Sequence, residues 1–406
     1  MNDTTNDAAN NAMDGAVGKA VNDTVDDTAK DAVDGAVKDT VNGAVTGTGT
    51  GTGTGTVRAK KPLGAVSAST ARRPAGRRTP LLALGGVLVL LALVTVSVAN
   101  GEMPLPPADA LKGLFGLGDP GTVLVVQEFR APRMVAAVVA GTGLAVAGTL
   151  LQRLFRNPLA SPDVMGVTGG ASFGAVVMLA AGASQALIPL AALGGGLLAA
   201  VLLGVFAWRA GVSVTRLVLV GLAVQAGLTA AVNFMVVRFP TELAGSALQW
   251  TTGSVYGRTW TEVWAAGGAV VVALVVAFLL HRRLAVLDLG DDSAGALGLN
   301  TNTARLQVLV TAIVLASLAA ALTGPVAFVA LAVPHIVRFL AGPPTAGTLA
   351  LSGLAGAVLL LASDLVAQYL LPVSGLPVGV VTATLGAPWL LVLMIRQSSS
   401  VNRSAR

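Results

Sequence analysis

Residues 164–208 read VMGVTGGASFGAVVMLAAGASQALIPLAALGGGLLAAVLLGVFAW, 45 positions without one Asp, Glu, Lys, Arg or His. A helix crossing a bilayer needs about 20 apolar residues, so this segment is long enough for two. Turn signals from Gly182 to Pro189 divide it. Small residues recur at helical spacing, with Gly166, Gly170 and Gly174 before the turn and Gly196, Ala200 and Gly204 after it. In lipid such stripes let helix backbones approach one another closely. The stretch therefore points to an all-α, polytopic membrane bundle.

The pattern continues outward in both directions. Uncharged stretches cover residues 81–99, 134–151, 217–237, 263–280, 306–337, 339–363 and 365–395, and Ala137, Gly141 and Ala145 add another small-residue stripe. Turns at Thr323-Gly324-Pro325 and from Pro372 to Pro377 divide the longest of them. About ten transmembrane helices are predicted, near 84–100, 133–153, 164–181, 187–208, 215–237, 261–281, 305–323, 326–341, 347–370 and 378–396, with 326–341 short enough to be a half-span. They form a domain over 80–397, followed by a cytoplasmic tail, 398–406.

Composition agrees. Of 406 residues, 54% are hydrophobic and 11% charged, whereas a soluble protein carries about 25% charged residues. The lipid bilayer is the partner of this surface. Residues 1–56 hold nine Asp and three Lys in a low-complexity Ala/Val/Gly/Thr background, and residues 57–79 hold seven Lys or Arg and no acid. Residues 1–79 are thus expected to be a disordered acidic arm with a basic juxtamembrane segment. Basic residues beyond it are dispersed singly, which is no nucleic-acid signature.

Zero cysteine excludes disulfides and thiolate metal sites. Two histidines, His281 and His335, make no zinc site, and with no lysine after Lys112 a phosphate-binding GxxxxGK[ST] loop is impossible in the apolar part. No catalytic residue and no bound cofactor are expected. Charge asymmetry sets the orientation. With the amino terminus inside, Arg72, Arg73, Arg77, Arg78, Arg153, Arg156, Arg209, Arg216, Arg282, Arg283, Arg305, Arg338 and Arg396 fall on the cytoplasmic side, leaving only Lys112, Arg130, Arg133, Arg238 and Arg258 outside. Both termini are then cytoplasmic.

Few polar residues stand inside the spans. Asp364 is the one clear ionisable candidate at membrane depth and lies toward the outer interface, so ion coupling has little to work with. Gln225 and Asn233, eight apart on one helix face, either line a pathway or hydrogen-bond a neighbouring helix. The loop 284–304 is more distinctive. Gly290 breaks the chain, Asp291 and Asp292 suit a helix start, and Gly298 suits the position after a helix end. Two short surface helices are predicted there, whose Leu287, Leu289, Ala294 and Leu297 either insert into a partner's groove or pack on the membrane domain.

Several motifs carry a resemblance. They are RAPRM (130–134), GTGLAVAG (141–148), QRLFRNPLASPDVMG (152–166), QWTTGS (249–254), LGDDSAGALG (289–298), GPVAFVALAVPHIVR (324–338) and LPVGVVTATLGAP (376–388). Together they resemble the FecCD-type permeases of binding-protein-dependent ABC importers for iron siderophores, heme and cobalamin, over roughly residues 81–396. The resemblance implies a ten-span subunit that pairs with a second copy or a paralogue and has the substrate path between the two. ABC ATPase subunits would hydrolyse the ATP, and an extracytoplasmic substrate-binding protein would deliver the cargo.

By the same resemblance, Gly290, Asp291, Asp292, Ala294, Leu297 and Gly298 belong to the loop that receives the ATPase. Arg130 and Arg133 accept carboxylates of the binding protein, while Asn157, Pro158 and Leu159, with Ser213 and Thr215, are cytoplasmic gate elements. Three departures stand out: the family often has Arg at Gln368, Glu at Gly375 and Arg at Gly295. The expected function is import of an iron(III)-siderophore chelate by alternating access. A heme or cobalamin permease, or an ion-coupled secondary carrier needing Asp364, are the alternatives.

Overall fold

The computed structural model describes residues 78–101, 103–207, 214–370 and 376–388. The acidic arm, Ser213, Gly375, the tail and residues 389–396 of the last expected span lie outside the described residues.

In chain order the helices are α1 (Arg78–Ala99), α2 (Pro107–Leu114), α3 (Pro120–Leu154), α4 (Val167–Ala180), α5 (Ile188–Ala207), α6 (Val214–Arg238), α7 (Thr241–Thr252), α8 (Trp260–Leu287), α9 (Asp291–Ala296), α10 (Thr301–Thr323), α11 (Val329–Ala341), α12 (Ala346–Leu370) and α13 (Val378–Pro388). Among the described residues there is no strand. Seven helices, α1, α3, α5, α6, α8, α10 and α12, are long and apolar enough to cross a bilayer. Helices α4 and α11, and α13 as far as it is described, are shorter apolar helices. The described residues thus hold seven helices of spanning length and three shorter apolar ones at the positions of the expected spans 164–181, 326–341 and 378–396.

Local chemistry explains the boundaries. Helix α8 opens on a reciprocal cap, in which Thr259 N–H donates to Glu262 Oε2 at 3.0 Å. Asn300 Oδ1 caps α10 by accepting from Thr303 N–H, and Thr345 and Thr348 do the same for α12. Helix α4 starts three residues later than expected because residues 162–166 turn, ending on Gly166 at φ 82°. Inside α11, Pro334 has no N–H to give the carbonyl of Ala330. The amide of Gln152 on α3 points there instead, donating to Leu331 O at 3.0 Å and reaching Ala330 O at 3.5 Å. The Pro334-His335 pair thus lies within a helix.

At the centre stand α3 and α10, with α12, α11 and α8 packed on α3, while α4 packs on α5 and α6. Backbone contact drives the tightest of these pairs. A Cβ placed on Gly141 of α3 would lie 2.3 Å from Gly356 O of α12, and one on Gly356 would lie 2.2 Å from Gly141 O. Gly170 of α4 meets Gly195 of α5 in the same way, at 2.2 Å. The partner is Gly195, one position from the expected stripe; Gly196 faces Ser317, and Gly204 has nothing within 4 Å.

Candidate functional site

A cavity of about 790 Å3 opens between the turn after α3 and helices α4, α6, α7, α11 and α13. Its polar wall consists of Ser161, Asp163, Thr168, Ser172, Gln225, Thr229, Asn233, Thr251, Thr252 and Thr384, with Phe328 and Leu331 among its apolar residues. Gln225 bonds a neighbouring helix and borders the cavity. Its Oε1 accepts from Gly169 N–H at 2.9 Å, satisfying one of the unpaired amides at the start of α4, while its side chain faces the cavity. Asn233 lies on the same wall, two turns along α6.

Asp163, which the sequence pattern does not mark, is the ionisable group of this wall. The available signal was its place, immediately before the charge-free stretch of residues 164–208. Burial pushes its carboxyl up to about 6, against a smaller opposing effect of the Thr168 hydroxyl. Because the folded-state value is raised, its favourable contribution is complete only below the unfolded value and is lost as pH rises through about 6. Asp163→Asn is therefore expected to raise the thermal midpoint of the full chain at about pH 8, with the gain shrinking toward about pH 5. Melting curves at the two pH values check this; an equal gain at both would refute it.

The turn expected to be a gate element immediately precedes Ser161 in the chain. Asn157 Oδ1 accepts from Leu159 N–H at 2.9 Å, and Ala160 N–H donates to Asn157 O, closing the turn around Pro158. Arg156, just before it, is held at φ 49°. Thr215 is in the first turn of α6.

Two arginines fasten this turn to the loop after α8. Arg153 Nη2 donates to Asp288 Oδ2 at 2.7 Å and its Nη1 to His281 Nδ1 at 3.2 Å, while Arg156 Nη2 donates to Leu287 O at 2.8 Å. Beyond Gly290, at φ 101°, comes a single short helix, α9, where two were expected; the first is simply the end of α8. Asp291 and Asp292 occupy its first turn, and Asp291 pairs with Arg305 of α10 at 2.6 Å. Gly298 at φ 79° donates to Gly295 O, and Leu299 N–H to Ala294 O, which is the glycine-terminated helix end the sequence called for. Of the four apolar residues expected outside, Leu289 and Leu297 are exposed, at 61% and 65%. Ala294 and Leu287 are buried instead, because they form the underside on which the loop rests.

The opposite end of α3 carries Arg130 and Arg133. A π-helical segment, Val125–Arg130, precedes Arg133, and a second, Val366–Leu370, follows Asp364 on α12. Such wide turns shift side chains out of α-helical register and are frequent at functional positions. Arg133 forms two parallel hydrogen bonds to Asp364, Nε to Oδ2 at 3.0 Å and Nη2 to Oδ1 at 2.8 Å. Gln368 Nε2 adds a third donor to Asp364 at 2.7 Å, so the amide found where an arginine is common completes a carboxylate site. Arg130 Nη1 donates to Val98 O at 2.7 Å and its Nη2 to Met103 O, closing the end of α1. Both guanidiniums still border a cavity of about 310 Å3 together with Asn100 and Tyr369. Among the described residues no cluster of His, Cys, Asp or Glu could hold a metal ion.

The FecCD transport family matches residues 89–396. The chain belongs to that family. It is 41% identical to the achromobactin transport system permease of Dickeya dadantii, over 77% of this chain and 90% of that one. It is 40% identical to the ferric enterobactin transport system permease of Escherichia coli, over 74% and 91% respectively. A solved inward-facing metal-chelate type ABC transporter superposes with a TM-score of 0.70 at 28% identity, covering 78% of this chain and 99% of that chain. This is a multi-pass membrane permease of an ABC importer and not an enzyme. ATP is hydrolysed by partner ATPases, and the family works with a binding protein and as a permease dimer.

Proposed function

We propose that this permease moves an iron(III)-siderophore chelate across the cell membrane by alternating access, with both termini in the cytoplasm. Cognate ABC ATPase subunits bind the α9 loop, an extracytoplasmic binding protein docks around Arg130 and Arg133, and a second copy or a paralogue completes the path. The observation that carries the reading is the double arginine link, since Arg153 and Arg156 fasten Leu287 and Asp288 to the segment that ends in the gate turn. Exposed Leu289 and Leu297 flank Gly290 and α9 just beyond this link, and the linked segment runs on to Ser161 and Asp163 at the cavity wall. Named relatives that transport ferric enterobactin and achromobactin support the cargo class. The ion-coupled alternative loses its residue, because both oxygens of Asp364 are occupied by Arg133 and Gln368.

The test is reconstitution of the permease with its ATPase and binding protein in liposomes. Uptake of a ferric siderophore is expected to require ATP, and Leu297→Asp is expected to weaken the ATPase's hold on the permease, lowering ATP turnover and uptake together. Uptake that follows an ion gradient without ATP would refute the proposal, and ATP-driven uptake of heme or cobalamin alone would move the cargo to the alternative.

A further inference from the structure

A second cavity, of about 330 Å3, lies between α3, α11, α12 and the loop after α8. Arg153, Arg156, Arg338, Asp288, Thr348 and Ser352 border it. Three guanidiniums meet one carboxylate, and that carboxylate is already taken by Arg153. Among the described residues neither Arg156 nor Arg338 has an acidic partner, so the cavity holds a net positive charge. The first turn of α12 adds the positive end of a helix, with Thr348 at the cavity wall.

Depth identifies what this charge meets. Thr79, at the start of α1, lies against Gly347, at the start of α12, so the two helices begin at one level. From that level α1 exposes Leu81 and Leu84 along its outer face, and next to Arg338 the α11 end exposes Phe339 at 69% and Leu340 at 46%. Arginines at the cavity and bare apolar side chains beside it reproduce the boundary between phosphate and acyl chain in a membrane leaflet.

We propose that this cavity binds the phosphate of an anionic phospholipid headgroup, with the acyl chains lying along Phe339 and Leu340. Arg338 and Arg156 supply the charged donors. A free phosphate ion would use the guanidiniums but would have no use for the adjoining apolar wall. The site is independent of the transported cargo, although Arg153, Arg156 and Asp288 also take part in the link to the α9 loop.

Native mass spectrometry of the full-length permease, delipidated and then offered equimolar phosphatidylglycerol and phosphatidylcholine, tests it. Phosphatidylglycerol should be retained selectively. Removing two charged donors in Arg156→Gln/Arg338→Gln should lower that retention about tenfold or more, the size of a lost charge-assisted hydrogen bond. Arg338→Gln alone, at an exposed position, should show a smaller loss in a chain with an unchanged melting curve. Arg338→Lys should keep part of the binding, because it retains the charge without the planar fork. Equal retention of the two lipids, or unchanged retention in both Gln variants, would overturn the proposal. So would displacement of the lipid by millimolar inorganic phosphate, which marks a free-anion site, or its loss whenever ATPase subunits assemble, which marks a protein-docking surface.

Discussion

Replacing Asp364 with alanine is expected to cost the permease about 3–5 kcal/mol, because it removes one member of a buried, doubly hydrogen-bonded ion pair and leaves the other uncompensated. The geometry makes this severe. Asp364 is 1% exposed and Arg133 19%, and Gln368 also loses its acceptor. The pair joins α3 to α12 next to the π-helical segment of each helix. Arg133→Ala is expected to be at least as costly, since it leaves the more deeply buried charge. The double replacement Arg133→Leu/Asp364→Leu should recover most of the loss, since desolvation of such a pair nearly offsets its attraction. Thermal and denaturant unfolding of the full-length chain in detergent checks all three. A double variant no more stable than the single ones would show that the pair contributes net stability. Full stability with lost transport in Asp364→Ala would return the residue to a role in the path.

Gly141→Val should be nearly as damaging. Overpacking typically costs about 1–3 kcal/mol, and here the first added carbon lies 2.3 Å from Gly356 O and 2.8 Å from its carbonyl carbon. Neither neighbour is the movable end of a side chain, so two helices must separate, and the effect is expected at or above the top of that range. Gly268→Ala on α8 is the control: it is exposed, with nothing within 4 Å of the added carbon. That change should stabilise by up to about 1 kcal/mol through the lower entropy of the unfolded chain. Equal destabilisation at the two positions would mean that helix propensity, not close packing, governs these glycines.

Much of this was legible beforehand because lipid imposes a simple rule on composition. Long charge-free runs placed one end of α1, α3, α8 and α10 within a residue of the structure, but stopped short of the polar residues these helices also hold, so that α3 begins at Pro120 and not at 133; the Gly290 and Gly298 punctuation placed α9. Helix α7 was missed because Thr241–Thr252 is only 12 residues of mixed polarity, which no span criterion detects. The π-helical turns were invisible, since hydrogen-bond register leaves no compositional trace. The link between Arg133 and Asp364 spans 231 residues. A lone carboxylate in an apolar run must find a cation, but the residue sequence does not say which. Motif resemblance directed attention to the outward arginines as external contacts. It could not show that each first satisfies a partner within its own chain.

The large cavity wall has one further consequence. Beside its apolar residues, and apart from Asp163, it offers hydroxyls and amides, groups that exchange a hydrogen bond to water for one to a guest at little net gain. Such a surface gives a passing molecule a nearly level free-energy profile, with no deep well to climb out of. On the proposed path, with this wall as its lining, selectivity is exercised before entry and speed is gained by declining to hold what enters.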